Sequence, residues 1–448
     1  MRAALGAVDA NAAVSKHIAL RGTELSIGGY AVASGTNLSV LAIGKAAGGM
    51  AEAVTTQLAG RIQAGLVITK DDHAEGYALG DFEIREAGHP VPDARSAEAG
   101  RGALAFVEAV RPEGTLLVLL SGGASALVSL PPSAVSVEEL ATTNQLLLDS
   151  GADIRELNAV RKHLSQISGG RLAQHSSAAQ VVVLAISDVH GDALDVIGSG
   201  PCAPDPTHFG DALAVLAGRD LAGRVPDSVR DYLERGRAGE VDESPKPGAP
   251  IFDRVYHRVV ASNQDARDAA LAEARRLGAE TISLGECISG EAKLEGKHFA
   301  ALALDVCTEV PVCMVAGGES VVRIAGNGRG GRNQELALAA AIELAASQPA
   351  ATDARDVLLL AVGTDGSDGP TNAAGAWADA GSVVRGAEAG ASAAACLQNN
   401  DSYSFFAAES GLLVTGPTGT NVMDLVLIWI EPVGNGDEAL NILQEGAV

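Results

Sequence analysis

Two turns in the sequence place residues suited to anions directly after strand-like apolar runs. Lys45 follows "LSVLAIG" and opens a helix-like segment, whereas Ser121, Gly122 and Gly123 follow "LLVLL". A cation at a helix start opposes the helix macrodipole, so its presence there favours a bound anion. Glycine has no side chain, and its amide can approach a phosphate or carboxylate closely. We predict anion binding at Lys45 and substrate binding at the second turn, with a solvated lysine and a plain tight turn as the alternatives.

Two other turns carry aspartates. Asp188 and Asp192 follow "VVVLAIS" with Gly191 between them, and Asp365 follows "LLLAVGT" in a glycine-rich stretch. Two carboxylates at a strand end can hold Mg²⁺ through oxygen ligands, or one can accept a proton from a hydroxyl. We therefore predict Asp188 and Asp192 as metal ligands, Asp188 also as a catalytic proton acceptor, and Asp365 as part of a nucleotide site. Helix capping by aspartate is the alternative.

The stretch "GNGRGGRNQE" contains Gly326, Gly328 and Gly331 in the spacing G-x-G-x-x-G. In a dinucleotide-binding turn this pattern follows a buried strand, and a ribose-binding acid lies about 20 residues further on. Neither condition holds, because Glu319 lies in the preceding run and the next strand-end acid is the distant Asp365. The sequence thus argues against a nicotinamide cofactor at this turn.

The same stretch carries Arg329 and Arg332, and two arginines suit a transferring phosphoryl group with its concentrated negative charge. We interpret the stretch as a phosphate loop with an arginine clamp. A surface turn with two solvated arginines is the alternative. The predicted nucleotide-binding residues are Gly326, Gly328, Gly330, Gly331, Glu319 and Asp365.

A pair of cations, Arg161 and Lys162, occurs in the helix-like segment "NAVRKHL". Arginine and lysine bind carboxylates through charge-assisted hydrogen bonds. We predict this pair as the anchor for a carboxylate of the substrate, with a solvated helix face as the alternative.

The segments between these turns alternate between apolar runs, which predict strands, and alanine-rich stretches, which predict helices. Runs such as "LLVLL" and "VVVLAI" lack polar alternation, which is typical of parallel strands covered on both faces. We predict an α/β protein whose first domain, residues 1–240, is a doubly wound, Rossmann-like parallel-sheet domain. A stretch rich in glycine, proline and charge, residues 235–254, predicts a linker. The second domain, residues 250–448, is predicted as α/β with a mixed sheet that includes "ESVVRIAG".

Composition excludes several classes of function. The chain of 448 residues has a formal net charge of -24, which would repel nucleic acid and anionic membranes. Asp9 interrupts the N-terminal apolar run before a signal-peptide core can form, and "MDLVLIWIEPV" is too short to span a bilayer and is predicted as a buried strand. Five cysteines without a C-x-x-C spacing fit a reducing compartment. We expect a cytoplasmic protein that binds neither nucleic acid nor a membrane.

Several segments together resemble, in order and over nearly the whole chain, the glycerate 2-kinases of the MOFRL type. They are "GHPVPD", "LSGGASAL", "NAVRKHLSQISGGRLA", "SDVHGD", "GSGPCAPDPT", "GGESVVRIAGNGRGGRNQE", "GTDGSDGPTNAAGA" and "GPTGTNVMDL". The resemblance implies ATP-dependent, Mg²⁺-assisted phosphorylation of D-glycerate to 2-phosphoglycerate by two α/β domains that face an active-site cleft. It also implies a catalytic lysine and arginine, at the positions of Lys45 and Arg332.

The resemblance leaves other functions open. Relatives of this family have been labelled hydroxypyruvate reductases, so an NAD(P)H-dependent hydroxypyruvate reductase is the main alternative, and a non-catalytic module for sugar phosphates is the second. The expected partners are ATP and a small-molecule substrate, D-glycerate, and a homodimer is compatible with the sequence.

Overall fold

The computed structural model describes residues 1–33, 35–89, 91–347 and 356–432. Its contacts divide the chain into two compact units. The first unit is Ala10–Ala261, and the second unit is Met1–Asp9 together with the described residues from Ser262 onward. The boundary expected from the sequence, between residues 240 and 250, lies before a strand, Val255–Ala261, that pairs with the first unit's sheet.

Helix α1 (Arg2–Ala7) begins the chain and belongs to the second unit. The first unit then contains the strands β1 (Ile18–Arg21), β2 (Glu24–Ile27), β3 (Tyr30–Val32), β4 (Leu38–Ile43), β5 (Ile62–Lys70), β6 (Glu83–Ala87), β7 (Thr115–Leu120), β8 (Gln180–Ile186) and β9 (Val255–Ala261). Its helices are α2 (Ala10–Ser15), α3 (Ala47–Leu58), α4 (Ala94–Glu108), α5 (Ala124–Leu127), α6 (Val137–Asp149), α7 (Ile154–His163), α8 (Arg171–His175), α9 (Phe209–Gly218) and α10 (Asp227–Arg237).

The main sheet of the first unit has six parallel strands in the order β6-β5-β4-β7-β8-β9. This is the doubly wound order, in which the chain leaves the middle of the sheet in opposite directions from β4 and β7. Every residue of β4 and β7 is buried, as their unbroken apolar runs predict. The predicted Rossmann-like domain is confirmed, and its topological switch point lies between the turns that carry Lys45 and Ser121. A separate antiparallel sheet comprises β1, β2 and β3.

The second unit contains a mixed sheet in the order β10-β11-β15-β12-β13-β14. Its strands are β10 (Glu280–Ile288), β11 (Val312–Gly318), β12 (Val357–Gly363), β13 (Gly375–Ala378), β14 (Leu412–Leu413) and β15 (Asp424–Ile430). Its helices are α11 (Asn263–Arg276), α12 (Ala292–Asp305), α13 (Arg332–Ser347), α14 (Ser382–Glu388), α15 (Ala393–Gln398) and α16 (Ser402–Glu409). The sheet is mixed because β15 lies antiparallel between β11 and β12.

One predicted strand of the second unit is wrong. After β11 ends at Gly318, the segment "ESVVRIAG" runs as a loop whose only ladder contact in the described chain is a single bridge from Val321 to Glu291. Only Val322 packs against the core, whereas Val321 is 61% and Ile324 is 80% exposed. The apolar–polar alternation therefore reflects an exposed loop and not a half-buried strand.

The C-terminal apolar run forms the buried strand β15, as predicted from "MDLVLIWI". Over the described ranges, no helix has both the length and the apolar character needed to cross a membrane. All five cysteines lie in these ranges, and none of them forms a disulfide.

Candidate active site

The turns after β4 and β7 interlock at the carboxyl edge of the first unit's sheet. The Lys45 amide donates to the Gly122 carbonyl at 2.9 Å, and the Ala46 amide donates to Ser121 Oγ at 3.1 Å. Gly44 has a φ of +128°, and a Cβ there would collide with Ser121 Oγ. Ser121 is fully buried, and its hydroxyl positions the lysine-bearing turn, so its substrate-binding role stays a prediction.

Gly123, in the turn after β7, lies next to His89 and Lys45. A Cβ at Gly123 would lie 3.0 Å from His89 Nε2 and 3.3 Å from Lys45 Cγ. The stem of Lys45, the ring of His89 and the Gly123 backbone therefore meet at one place. Sequence reasoning did not single out His89, although it lies in "GHPVPD", one of the segments that carry the family resemblance.

A cavity of about 320 Å³ adjoins this place, entirely within the first unit. A volume of this size is typical of small-molecule sites. Its polar lining includes His89, Gly123, Ser125, Asn144, Arg161 and Ser199. Because it begins at the switch point of a doubly wound sheet, where such folds bind ligands, we take it as the candidate substrate site.

Arg161 supplies the positive charge of this cavity. Its Nε donates to Asn144 Oδ1 at 3.0 Å, and it forms no ion pair with a carboxylate in the described part of the chain. Burial lowers the pKa of the guanidinium, because charge is costly away from water. A half-buried arginine that faces a cavity with only an amide as partner is well placed to bind an anion.

Lys162 lies elsewhere, because successive residues of an α-helix diverge by about 100°. Its side chain is 2% exposed, and its Nζ lies 3.1 Å from Asp195 Oδ2 and 3.5 Å from Asp205 Oδ1. The lining of the cavity does not include it. The structure thus brings Arg161 to the cavity but separates it from Lys162, which anchors the loop after β8 through Asp195.

The two predicted metal ligands lie in that loop after β8. Asp188 is half-buried, and Asp192 ends a short 3₁₀ turn with a left-handed φ of 54°. The loop continues to Ser199, which lines the cavity. Among the residues described, no group of three or more His, Cys, Asp or Glu side chains could hold a metal ion alone.

In the second unit, Arg332 is the first residue of α13 and pairs with Asp424, the first residue of β15. It makes a two-point contact with Asp424, from Nε to Oδ2 at 2.6 Å and from Nη2 to Oδ1 at 2.9 Å, and Nη1 also donates to Glu319. Burial works against the charge of Arg332, but Asp424 and Glu319 outweigh it and raise the pKa of the guanidinium. The arginine is held firmly and is fully ionised.

The predicted phosphate loop packs against the turn between α15 and α16. The Gly326 amide donates to Asn400 Oδ1 at 3.0 Å, and the Gly328 amide donates to the Asn399 carbonyl at 2.9 Å. Side chains at Gly326, Gly328 or Gly330 would collide with residues 399–402. The close approach that these glycines permit is therefore to the protein's own backbone, and their nucleotide-binding role stays a prediction.

The two aspartates of the turn after β12, Asp365 and Asp368, make different contacts. Asp368 caps α13 by accepting from the Asn333 and Gln334 amides, and burial raises its pKa to about 6. Asp365 Oδ1 accepts from the Ser367 amide at 3.0 Å. The carboxylates of Asp365 and Asp424 lie near the same point, because a Cβ at Gly363 would be 3.4 Å from Asp365 Oδ1 and 3.5 Å from Asp424 Oδ1. Asp424 also pairs with Arg332.

Comparison with known proteins gives a consistent result. A model for a domain of unknown function, DUF4147, matches residues 1–234, and a model for the MOFRL family matches residues 312–424. A D-glycerate 2-kinase from Thermotoga maritima is 41% identical over 394 residues, covering 87% of this chain and 89% of its own. A relative from Agrobacterium vitis with the provisional name hydroxypyruvate reductase is 39% identical over 400 residues, covering 87% and 86%.

The fold matches that of a solved relative. The crystal structure of a glycerate kinase from Thermotoga maritima superposes with a TM-score of 0.79 at 38% identity, covering 96% of this chain and 97% of that one. At this identity and coverage, the likeness extends to both units of the chain.

Proposed function

Because the chain belongs to the MOFRL-type glycerate kinase family, we propose that it transfers the γ-phosphoryl group of ATP to the 2-hydroxyl of D-glycerate, releasing ADP and 2-phosphoglycerate. One observation carries the proposal for this molecule. A guanidinium without a carboxylate partner in the described chain, Arg161, lines a cavity at the switch point where the Lys45 turn arrives. The cavity thus offers the Arg161 guanidinium to a small anionic substrate, and the stem of Lys45 contacts Gly123, one of the residues that line it.

In this proposal Arg161 binds the carboxylate of glycerate. The guanidinium gains an ionic partner in a half-buried place, where charge-assisted hydrogen bonds are strong. Asn144 holds Nε and so fixes the direction of the remaining donors. This contact positions the hydroxyl carbons of the substrate toward Gly123 and Lys45.

Lys45 stabilises the transferring phosphoryl group. Phosphoryl transfer requires positioning and cations around the equatorial oxygens more than covalent chemistry by the protein. The fixed turn at Gly44–Ala46 holds the stem of Lys45 against Gly123, which limits reorganisation when charge develops. We assign Asp188 as the acceptor of the hydroxyl proton.

The second unit is proposed to bind the nucleotide. Support comes from Arg332, whose guanidinium lies at the carboxyl edge of the sheet beside Glu319 and Asp365. Ligands of α/β sheets bind at this edge. We keep Gly326, Gly328, Gly330 and Gly331 as the loop that covers the phosphates.

Magnesium fits the donor set at the loop after β8. Mg²⁺ in phosphotransferases is usually held by one or two carboxylates together with substrate phosphates and water. The two aspartates Asp188 and Asp192 supply oxygen ligands of that number, and no larger cluster occurs in the described residues. When bound, the ion would neutralise charge on the phosphates of ATP.

The assay for this proposal separates the kinase from the reductase. Purified protein is incubated with D-glycerate, ATP and Mg²⁺, and ADP is quantified by anion-exchange chromatography while ³¹P spectroscopy identifies the phosphorylated position. L-Glycerate is the control for stereochemistry. ADP formation with 2-phosphoglycerate as product is expected. Consumption of NADH with hydroxypyruvate, without ADP formation in the first reaction, would establish the reductase instead.

We also propose a cytoplasmic location. The support is that none of the five cysteines, which all lie in the described residues, forms a disulfide, as expected in a reducing compartment. Fractionation of cells that express the tagged protein tests this assignment.

A further inference from the structure

The cavity of the first unit contains a chain of hydrogen bonds that the proposed mechanism does not use. Ser125 Oγ and Ser199 Oγ lie 2.7 Å apart, and Ser199 Oγ donates to Asn158 Oδ1 at 2.8 Å. Ser125 and Ser199 line the cavity, whereas Asn158 lies behind them and is 3% exposed. We call Ser125, Ser199 and Asn158 the serine relay.

The relay can be polarised in two directions. With the Asn158 oxygen toward Ser199, Ser199 donates to Asn158 and Ser125 donates to Ser199, so Ser125 Oγ offers only lone pairs to the cavity. With the amide turned over, Asn158 Nδ2 donates to Ser199, and Ser125 has its proton free for the cavity. A ligand hydroxyl pairs with Ser125 in either case because it both donates and accepts, whereas a methyl group does neither.

Two unfavourable features, a strained backbone and an unpaired polar atom, accompany the serine relay. Ser199 has a left-handed φ of 59° between Gly198 and Gly200, a conformation that glycine adopts far more easily than serine. Asn158 Nδ2 is buried and has no hydrogen-bond partner within the described residues. Turning the amide over would leave its oxygen unpaired instead, so the cost comes with having an asparagine here. Strained backbone and unpaired polar groups concentrate at functional sites.

We propose that the serine relay binds the hydroxyl of the substrate that is not phosphorylated. The inference rests on the proposed function, in which the 2-hydroxyl reacts and the C3 hydroxyl of glycerate stays free. Arg161 binds the carboxylate, and Ser125 Oγ forms a hydrogen bond with the C3 hydroxyl. The relay thereby makes the site selective for dihydroxy acids over acids that carry a methyl group in the same place.

The test uses two acids that differ only in that hydroxyl. D-Lactate has a methyl group where D-glycerate has its C3 hydroxymethyl group. Isothermal titration calorimetry on the full chain gives the Kd of each acid for the wild type and for Ser125→Ala. We expect the wild type to prefer D-glycerate by at least about 10-fold, and Ser125→Ala to lower this ratio to about 1 by weakening D-glycerate alone.

Two further variants keep the test decisive. Ser199→Gly breaks the relay at a position whose left-handed backbone suits glycine, so the relief of backbone strain offsets part of the lost hydrogen bond to Asn158, and the variant should also lose selectivity. Ser129→Ala is the matched control, because Ser129 also lines the cavity but donates its proton to the Ser125 carbonyl at 2.7 Å. It should change the affinity for both acids by the same factor.

The outcomes separate the relay from the kinase assignment. A selectivity ratio that stays unchanged in both Ser125→Ala and Ser199→Gly, or a wild type that binds the two acids equally, overturns the role of the relay. If the wild type shows the selectivity but forms no ADP from D-glycerate and ATP, the relay stands and the proposed function fails.

Discussion

Arg332 and Asp424 are joined by two hydrogen bonds at the carboxyl edge of the second unit's sheet. Asp424 is 1% exposed, and across the sheet it lies opposite the last residues of both β11 and β12, Gly318 and Gly363. A Cβ at Gly363 would lie 2.8 Å from the Ser367 carbonyl oxygen and 3.5 Å from Asp424 Oδ1, so a side chain there would crowd the ion pair. The pair fixes the plane of the guanidinium, so this arginine is preorganised for whatever anion it meets.

Arg332→Lys tests whether this fixed plane matters for catalysis. Lysine keeps the positive charge but loses the two-point fork, so kcat should fall by about 10²-fold or more while KM for ATP rises much less. Steady-state kinetics with D-glycerate and ATP measures both. Thermal melting should show a loss of stability as well, because Asp424 loses part of its pairing.

Two variants separate the catalytic from the structural effect. Asp424→Asn weakens the tether but keeps the guanidinium, so it should lower Tm with a smaller loss of kcat than Arg332→Lys. Arg329→Lys changes the other arginine of the predicted clamp, an exposed residue whose guanidinium lies 4.3 Å from the centre of the Tyr403 ring, so it is a second test of the clamp and not a control. Equal loss of kcat in Arg332→Lys and Asp424→Asn would assign Arg332 a structural role only.

Lys45→Ala is expected to abolish turnover without unfolding the protein. The side chain is half-exposed at a turn that backbone bonds hold, so the free energy of unfolding should change by less than about 0.5 kcal/mol. Activity should fall by about 10²-fold or more if the ammonium stabilises the transferring phosphate. Lys16→Ala, at an exposed lysine of the same unit, is the control. Near-normal kcat in Lys45→Ala would show that the lysine is a bystander.

Asp188→Asn and Asp192→Asn distinguish a metal ligand from a proton acceptor. A lost ligand weakens Mg²⁺ binding, which excess metal can offset, whereas a lost base cannot be replaced that way. We expect saturating Mg²⁺ to restore Asp192→Asn but not Asp188→Asn. The measurement is kcat as a function of Mg²⁺ concentration. Full restoration of both would make Asp188 a ligand only, and normal activity in both would place the metal site elsewhere.

Glu409 predicts a pH dependence of stability. Its carboxyl group is 6% exposed, and burial raises its pKa from 4.5 to about 7 in spite of the neighbouring Arg385. The folded state thus binds this proton more tightly than the unfolded state does. The contribution of Glu409 to the free energy of unfolding is therefore greatest below pH 4.5 and is lost as the pH rises toward 7. The loss amounts to about 3 kcal/mol at most.

Glu409→Gln should remove that part of the pH dependence, as followed by urea unfolding between pH 5 and 8. Asp368, whose pKa is about 6, remains in the variant, so some dependence below pH 6 should persist. Glu388→Gln, at an exposed glutamate of α14, is the control. A pH profile that is the same in Glu409→Gln and wild type would contradict the predicted burial effect.

The sequence predicted those strands that are buried on both faces and therefore have an unbroken apolar run. β4, β7 and β8 are covered on both faces, and an unbroken apolar run indicates such a strand directly. The false strand at "ESVVRIAG" shows the limit of periodicity, because alternation indicates a half-buried strand only if one face has something to cover. The position of β9 in the first sheet depends on long-range pairing with β8, which no local pattern records.

The candidate site was predictable to the extent that it lies in strand-to-helix turns. Lys45 and Gly123 were found because they follow buried strands, and their meeting point follows from the sheet order. Asn144 and Ser199 belong to a helix and a distant loop, so only the fold brings them to the cavity with Arg161. Lys162 is adjacent to Arg161 in the sequence but does not reach the cavity, because neighbouring residues of a helix point in different directions.

The second unit is assembled from both ends of the described chain. Helix α1 packs on α11, and Thr420 Oγ1 donates to the Val8 carbonyl at 2.6 Å. Its central strand, β15, is also the last strand of the described sequence. During synthesis, the first nine residues therefore emerge long before their partners, and β11 and β12 lack the strand between them until Asp424–Ile430 has been made. The sheet of the first unit is complete once β9 has been made, so the first unit can fold before the second.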